Sequence, residues 1–267
     1  MNKIKKGDIV ARKSYGKDIL FVVNKIIETK SGKIAILRGL IERVEADSDI
    51  IDLELMDSNT IKNNLDALDK RLNNRIKENR NHEMRRTYKT GKILHLDGDK
   101  KYSEKSYFYY KKLGLNAVVK NIPEYKQPKV ITNLLKIYNP DVLVITGHDG
   151  MIKRGTGYSD LYNYRNSKYF IETVKKAKEY EKNSNKKLVI FAGACQSYFE
   201  ALISAGANFA SSPARILIDF LDPLIVAEKV ATTENYKYIT VDDFARELRD
   251  GKKGIDGIGA NGTMVVI

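Results

Sequence analysis

Between residues 91 and 200 the chain alternates short apolar runs with segments patterned at helical spacing. Ile93-Leu94-His95-Leu96, Ala117-Val118-Val119, Val142-Leu143-Val144-Ile145-Thr146 and Leu188-Val189-Ile190-Phe191-Ala192 are the apolar runs. Each is short and dominated by apolar residues, several of them β-branched, the pattern of a strand buried on both faces. Helix patterns separate them. One runs through Ser106-Tyr107-Phe108-Tyr109-Tyr110 and stops at Gly114; one is opened by Pro123, covers Ile131, Leu134, Leu135 and Ile137, and ends at Asn139-Pro140; one runs from about Ser167 to Glu181. Strands that alternate with helices predict a doubly wound parallel sheet, an α/β fold. Ligands of such sheets bind beyond the carboxyl ends of the strands, where the strand order switches.

The flanking segments pattern differently. Residues 1–56 hold short β-rich runs, Ile9-Val10-Ala11, Ile19-Leu20-Phe21-Val22-Val23 and Ile34-Ala35-Ile36-Leu37, with turn signals at Gly7-Asp8, Tyr15-Gly16-Lys17-Asp18 and Lys30-Ser31-Gly32-Lys33. They predict a small antiparallel barrel of the SH3 type. Residues 57–90 form a basic connector, with Leu65, Leu68 and Leu72 at helical spacing followed by a polar, arginine-rich stretch. The expectation is a partly helical connector, mobile in its later half, with the α/β domain spanning 91–267.

Composition narrows the class. The chain has 267 residues, one cysteine, three histidines and a formal charge of +13. One cysteine excludes an internal disulfide framework and a cysteine-based zinc site, and a free thiol fits a reducing, intracellular compartment. The N-terminus has no apolar stretch after its lysines, so no secretory signal is read, and no segment approaches the length of a membrane span. The charge admits a basic scaffold or a nucleic-acid-binding protein that uses the N-terminal barrel. The lysines are scattered along the chain, however, as in a solvated surface.

Two strand ends carry chemistry. Val142–Thr146 runs into Gly147-His148-Asp149-Gly150, and the run ending at Ala192 continues into Gly193-Ala194-Cys195-Gln196-Ser197. A thiol needs a nearby base, and histidine is tuned for that role. A helix starting near Ser197 is expected to lower the thiol pKa through its dipole. The backbone N–H groups of Cys195, Gly150 and Asp149 are the oxyanion candidates. His95 also lies at a strand end but in a strand setting, and His82 falls in the connector. No histidine follows Cys195, so glutaminase-type and papain-type orders lack their base. The caspase order, with histidine roughly 50 residues upstream of the cysteine, fits.

With these motifs in place, the core resembles the caspase, legumain and clostripain group of cysteine peptidases. Over the whole chain, Gly7-Asp8-Ile9-Val10-Ala11-Arg12-Lys13-Ser14-Tyr15-Gly16, Leu37-Arg38-Gly39-Leu40, Thr146-Gly147-His148-Asp149-Gly150 and Phe191-Ala192-Gly193-Ala194-Cys195-Gln196-Ser197 resemble the YabG family. These are sporulation-specific proteases of spore-forming Firmicutes. The resemblance implies a caspase-like sheet and a mother-cell, cytoplasmic enzyme. It would process spore coat and germination proteins after arginine, with Cys195 and His148 as the catalytic pair. No metal or organic cofactor is implied. Clostripain-type relatives carry an acidic residue two positions before the cysteine to read the P1 base; here Gly193 stands there. Asp219, Asp222 and Asp160 are the alternative P1 carboxylates. Arg71, Arg75, Arg80, Arg85 and Arg86 make the connector an expected site of self-processing.

Overall fold

The computed structural model describes residues 4–30, 32–79, 88–152 and 157–266. The first five strands are β1 (Ile9–Arg12), β2 (Phe21–Thr29), β3 (Gly32–Gly39), β4 (Glu45–Asp49) and β5 (Leu53–Leu55). They form one antiparallel sheet in the order β4-β3-β2-β1-β5. Period-2 patterning sends Ala35 and Leu37 of β3 inward with Val10, Phe21 and Val23. The segment Leu40–Val44, between β3 and β4, extends from this sheet onto the rest of the molecule.

Helix α1 (Ser58–Asn79) occupies most of the connector. Leu68, Leu72 and Ile76 recur every fourth residue on one face and are buried. Arg71 pairs with Asp219 at 2.6 Å and Arg75 with Glu247 at 2.6 Å. The connector is thus a docked helix through Asn79. Residues 80–87, which include Arg80, Arg85 and Arg86, lie outside the described residues.

The central sheet comprises β7 (Ile93–Asp97), β8 (Ala117–Asn121), β9 (Val142–Thr146), β10 (Val189–Ala192), β11 (Phe209–Ser211) and β13 (Ile255–Gly257), in the order β13-β11-β10-β9-β7-β8. All neighbours pair parallel except β13, which runs antiparallel at one edge. The four strands read from apolar runs are therefore present, and α2 (Lys100–Lys112), α3 (Gln127–Tyr138) and α4 (Ser167–Ser184) connect them. Strands β11 and β13 have three residues each, and β13 is Ile-Asp-Gly, too short and too polar to announce itself. Helices α2 and α6 (Asp222–Thr232) cover one face; α3, α4 and the short α5 (Phe199–Ser204) cover the other. Successive strand residues divide accordingly: Val144 and Phe191 face the first layer, Ile145 and Ile190 the second. Two short pairs close the remainder, β12 (Tyr238–Ile239) with β14 (Ala260–Asn261) and β6 (Tyr88–Lys89) with β15 (Val265–Val266).

Strand β7 has β8 on one side and β9 on the other, so the strand order switches between β7 and β9. The crevice at a switch point is where open parallel sheets bind ligands.

Candidate active site

Register puts Cys195 and His148 at the same level of adjacent strands. Ala192 of β10 pairs with Ile145 of β9. Cys195 and His148 each lie three residues beyond that pair, so both emerge at the same level of neighbouring strands. Both are fully buried. The Cys195 sulfur receives the Ile218 N–H at 3.4 Å and donates to the Ile218 carbonyl at 3.7 Å. Its loop is built by neighbours: Gln196 takes a positive φ of 56° while its N–H bonds Ser212 Oγ and the Ile216 carbonyl.

The expected lowering of the thiol pKa is not found. Helix α5 starts four residues past the cysteine, and burial pushes the thiol up to about 12. Backbone N–H groups of Ile218 and Arg43 offset this only in part. Resting Cys195 is a neutral thiol.

His148 is held on three sides. Its N–H donates to Glu124 Oε1 at 2.8 Å. Its Nε2 lies 3.4 Å from the Gly39 carbonyl oxygen, which can only accept, so Nε2 carries the proton. Its Nδ1 has no hydrogen-bond partner among the described residues and faces Glu124 Oε1 at 3.9 Å. Burial and the positive charge of Arg43 lower the imidazole pKa, against Asp99 and Glu124. Glu124 is itself buried and paired with Arg38. Glycines make room for it: a Cβ at Gly98 would sit 2.2 Å from Glu124 Oε1, and one at Gly147 would sit 2.6 Å from its Cγ. Sequence reading missed Glu124, which only tertiary folding brings to the histidine.

The oxyanion candidates separate. The Gly150 N–H is taken by the carboxylate of Asp149 at 2.9 Å. The Asp149 N–H already holds a peptide carbonyl, that of Arg43, at 3.2 Å. The Cys195 N–H has no partner among the described residues. The Asp149 side chain has a different task. It accepts from Asn166 N–H at 2.8 Å, Ser197 Oγ at 2.9 Å and Ser167 Oγ, tying the histidine loop to α4 and to the cysteine loop. Burial raises it to about 6 even so.

His95 is not placed to act as the base. Within β7, its Nδ1 meets Tyr110 Oη at 3.1 Å and its Nε2 meets Thr146 Oγ1 at 2.8 Å. Burial lowers it to about 4, so it is neutral.

The three P1 nominees are dispersed. Asp219 follows the Ile218 backbone that touches the thiol, but its carboxylate is engaged by Arg71. Asp222, at the start of α6, accepts the N–H groups of Asp219 and Arg249 and is pushed up to about 7 by burial. Asp160 is exposed and accepts the Tyr162 N–H. An acidic residue cannot replace Gly193: its φ is +113°, and a Cβ there would lie 2.3 Å from Ser211 Oγ.

Among the described residues no group of three or more histidine, cysteine or acidic side chains could hold a metal ion, and no helix is long and apolar enough to cross a membrane.

Cys195 and His148 are buried at the carboxyl ends of adjacent parallel strands, and comparison with known proteins makes the chain a peptidase. The family model described as YabG peptidase U57 matches residues 5–266, and the chain belongs to that family. It is 41% identical over 277 residues to the sporulation-specific protease YabG of Bacillus subtilis (strain 168), a match covering 97% of this chain and 95% of that protein. No solved structure matches.

Proposed function

We propose that this peptidase is a cysteine endopeptidase that cleaves after arginine, with lysine as the alternative P1 residue, using Cys195 as nucleophile and His148 as base. The observation that carries the reading is the equal offset of the two residues beyond the Ile145–Ala192 pair. When substrate binds, the Cys195 thiol passes its proton to Nδ1 of His148, the nitrogen with a free lone pair. The thiolate attacks the scissile carbonyl carbon. The oxyanion that forms is taken by the N–H groups of Asp149 and Cys195. The imidazolium then gives its proton to the leaving amine, and a thioester remains. Water, deprotonated by the same nitrogen, hydrolyses it and restores the thiol. Glu124 is a positioning residue that fixes the imidazole and supports its charged form.

The family and the name of the Bacillus subtilis relative support a role in sporulation. We read the substrates as spore coat and germination proteins, and the site of action as the mother-cell cytoplasm. The fold is read as caspase-like, with an SH3-like N-terminal unit.

The test is hydrolysis of arginyl and lysyl peptides by wild type, Cys195→Ala and His148→Ala, each checked for folding. Loss of either residue should lower kcat/KM by at least about 1000-fold, and a thiol alkylator should abolish wild-type activity. A folded variant with wild-type rates would reject the assignment.

A further inference from the structure

One segment of the N-terminal sheet seals the catalytic pair. Leu40 and Ile41 offer their carbonyls to Tyr102 Oη at 2.8 and 2.7 Å. Val44 then pairs parallel with Asp149, and the Glu45 N–H bonds the Asp149 carbonyl at 2.7 Å. Gly150 permits this approach, since a Cβ there would lie 2.2 Å from the Glu45 carbonyl oxygen. The segment therefore lies along the exit of the histidine strand as an added strand, the way extended peptides commonly dock on sheets.

Arg43 lies at the centre of this segment. Its carbonyl oxygen accepts the Asp149 N–H at 3.2 Å, one of the two donors assigned above to the oxyanion. Its backbone and its charge both act to lower the Cys195 thiol pKa, against burial, so it lies beside the sulfur. Its side chain enters the crevice at the strand-order switch and is 2% exposed, although arginine is almost never buried without a partner. There Nη1 meets Asp97 Oδ2 at 2.7 Å, Nε donates to the Gly147 carbonyl at 2.9 Å, and the guanidinium lies 4.7 Å from the Tyr102 ring centre.

Asp97 is prepared for this cation. It ends β7, is wholly buried, and accepts the Asp99 N–H at 2.8 Å and the Thr146 hydroxyl at 2.9 Å. Thr146 can donate there because it accepts from His95 Nε2, and His95 Nδ1 in turn accepts from Tyr110 Oη. The chain of donors ends on a carboxylate that only a cation can neutralise.

We propose that Arg43 occupies the seat of a substrate's P1 arginine, and that Asp97 is the carboxylate that reads that arginine. This rests on the cysteine-endopeptidase reading above and names its specificity residue. The occupant stays uncut because it desolvates the nucleophile and keeps it protonated. It is also displaceable, since its Nη2 is buried without a partner among the described residues, which costs binding energy.

The test uses matched peptides with arginine or citrulline at P1. Citrulline has nearly the same shape and no charge. Wild type should prefer arginine, and Asp97→Asn should lower the arginine-to-citrulline ratio of kcat/KM by about 30-fold or more, the usual scale for removing one member of a buried charge pair. A folding defect lowers both rates together and leaves the ratio alone. Should Asp97→Asn be insoluble, Arg43→Ala gives an independent reading: iodoacetamide should modify Cys195 at least about tenfold faster than in wild type, because the anchor of the seal is gone. An unchanged ratio in folded Asp97→Asn, or an unchanged alkylation rate in Arg43→Ala, overturns the proposal. Collapse of the ratio in Asp219→Asn or Asp222→Asn with Asp97→Asn intact overturns it in favour of those carboxylates. Equal cleavage of both peptides by wild type removes the P1-arginine reading itself while leaving the nucleophile assignment standing.

Discussion

The carbonyl oxygen of Gly39 lies 3.4 Å from Nε2 of His148, so the last residue of a strand in one sheet orients the imidazole at the end of a strand in another. The preceding residue, Arg38, pairs with Glu124, whose carboxylate accepts the His148 N–H. The same short stretch thus contacts the imidazole directly and through its acidic neighbour. The N-terminal sheet thus contributes to the surroundings of His148, although the sequence divides it from the α/β domain.

Glu124→Gln should separate positioning from chemistry. Glutamine can still accept the His148 N–H, so the fold and the KM for short peptides should change little. The negative charge that supports a charged imidazole against burial is lost. His148 pKa therefore falls further, the acid limb of the kcat profile moves to lower pH, and kcat drops by about 10- to 100-fold. Rate–pH profiles of the two proteins decide this. An unmoved limb with unchanged kcat would show that Glu124 only fills space.

Asp222 gives a pH signature in stability. Burial holds its carboxyl at about 7 in the folded chain, against the ordinary value of about 3.9 once unfolded. The raised value means that the folded state binds the proton more tightly. Its contribution is complete below about pH 4 and disappears as pH rises through 7. Asp222→Asn cannot ionise. It loses one of the two backbone hydrogen bonds at every pH, a constant offset. Relative to wild type, its Tm should climb between pH 4 and pH 8, by the equivalent of at most about 4 kcal/mol. Thermal melts across that range check it, and parallel Tm curves would contradict the assignment.

The connector yields a prediction narrower than the one its arginines suggest. Arg71 and Arg75 belong to α1 and are ion-paired against Asp219, Glu228 and Glu247. Cleavage needs an extended, locally unfolded segment, and unwinding α1 would pull Leu68, Leu72 and Ile76 from the core. Wild type held for long periods should give no product ending at Arg71 or Arg75. Self-cleavage in the connector should fall after Arg80, Arg85 or Arg86, and Cys195→Ala should stay whole. Intact-mass measurement distinguishes these, and a product ending at Arg75 would show that α1 opens readily.

The placement of His148 and Cys195 at neighbouring strand ends was legible in the sequence because strand, small residues and reactive side chain are contiguous at both. Register then followed from the parallel pairing of two apolar runs. Asp97 carried the same signal, an apolar run ending in Asp97-Gly98-Asp99, but an acid after a strand also reads as a helix cap. Asp99 is indeed the cap of α2. Glu124 and Arg43 gave no local sign. Arg43 reaches Gly147 from 104 positions away, and Arg38 reaches Glu124 from 86, so only tertiary contacts bring them to the site. The thiol's raised pKa was illegible for the same reason: the groups beside it, Ile218 and Arg43, come from distant parts of the chain.

The position of Arg43 in the chain has a consequence for biosynthesis. Ribosomes deliver the N-terminal sheet first, at about 5–20 residues per second, and domains fold as they emerge. Arg43 therefore leaves the ribosome roughly 8–30 s before Cys195 at those rates. The segment that covers Cys195 is therefore already synthesised when Cys195 emerges. On the reading proposed above, a chain that folds as it emerges would cover Cys195 and His148 as soon as both are in place.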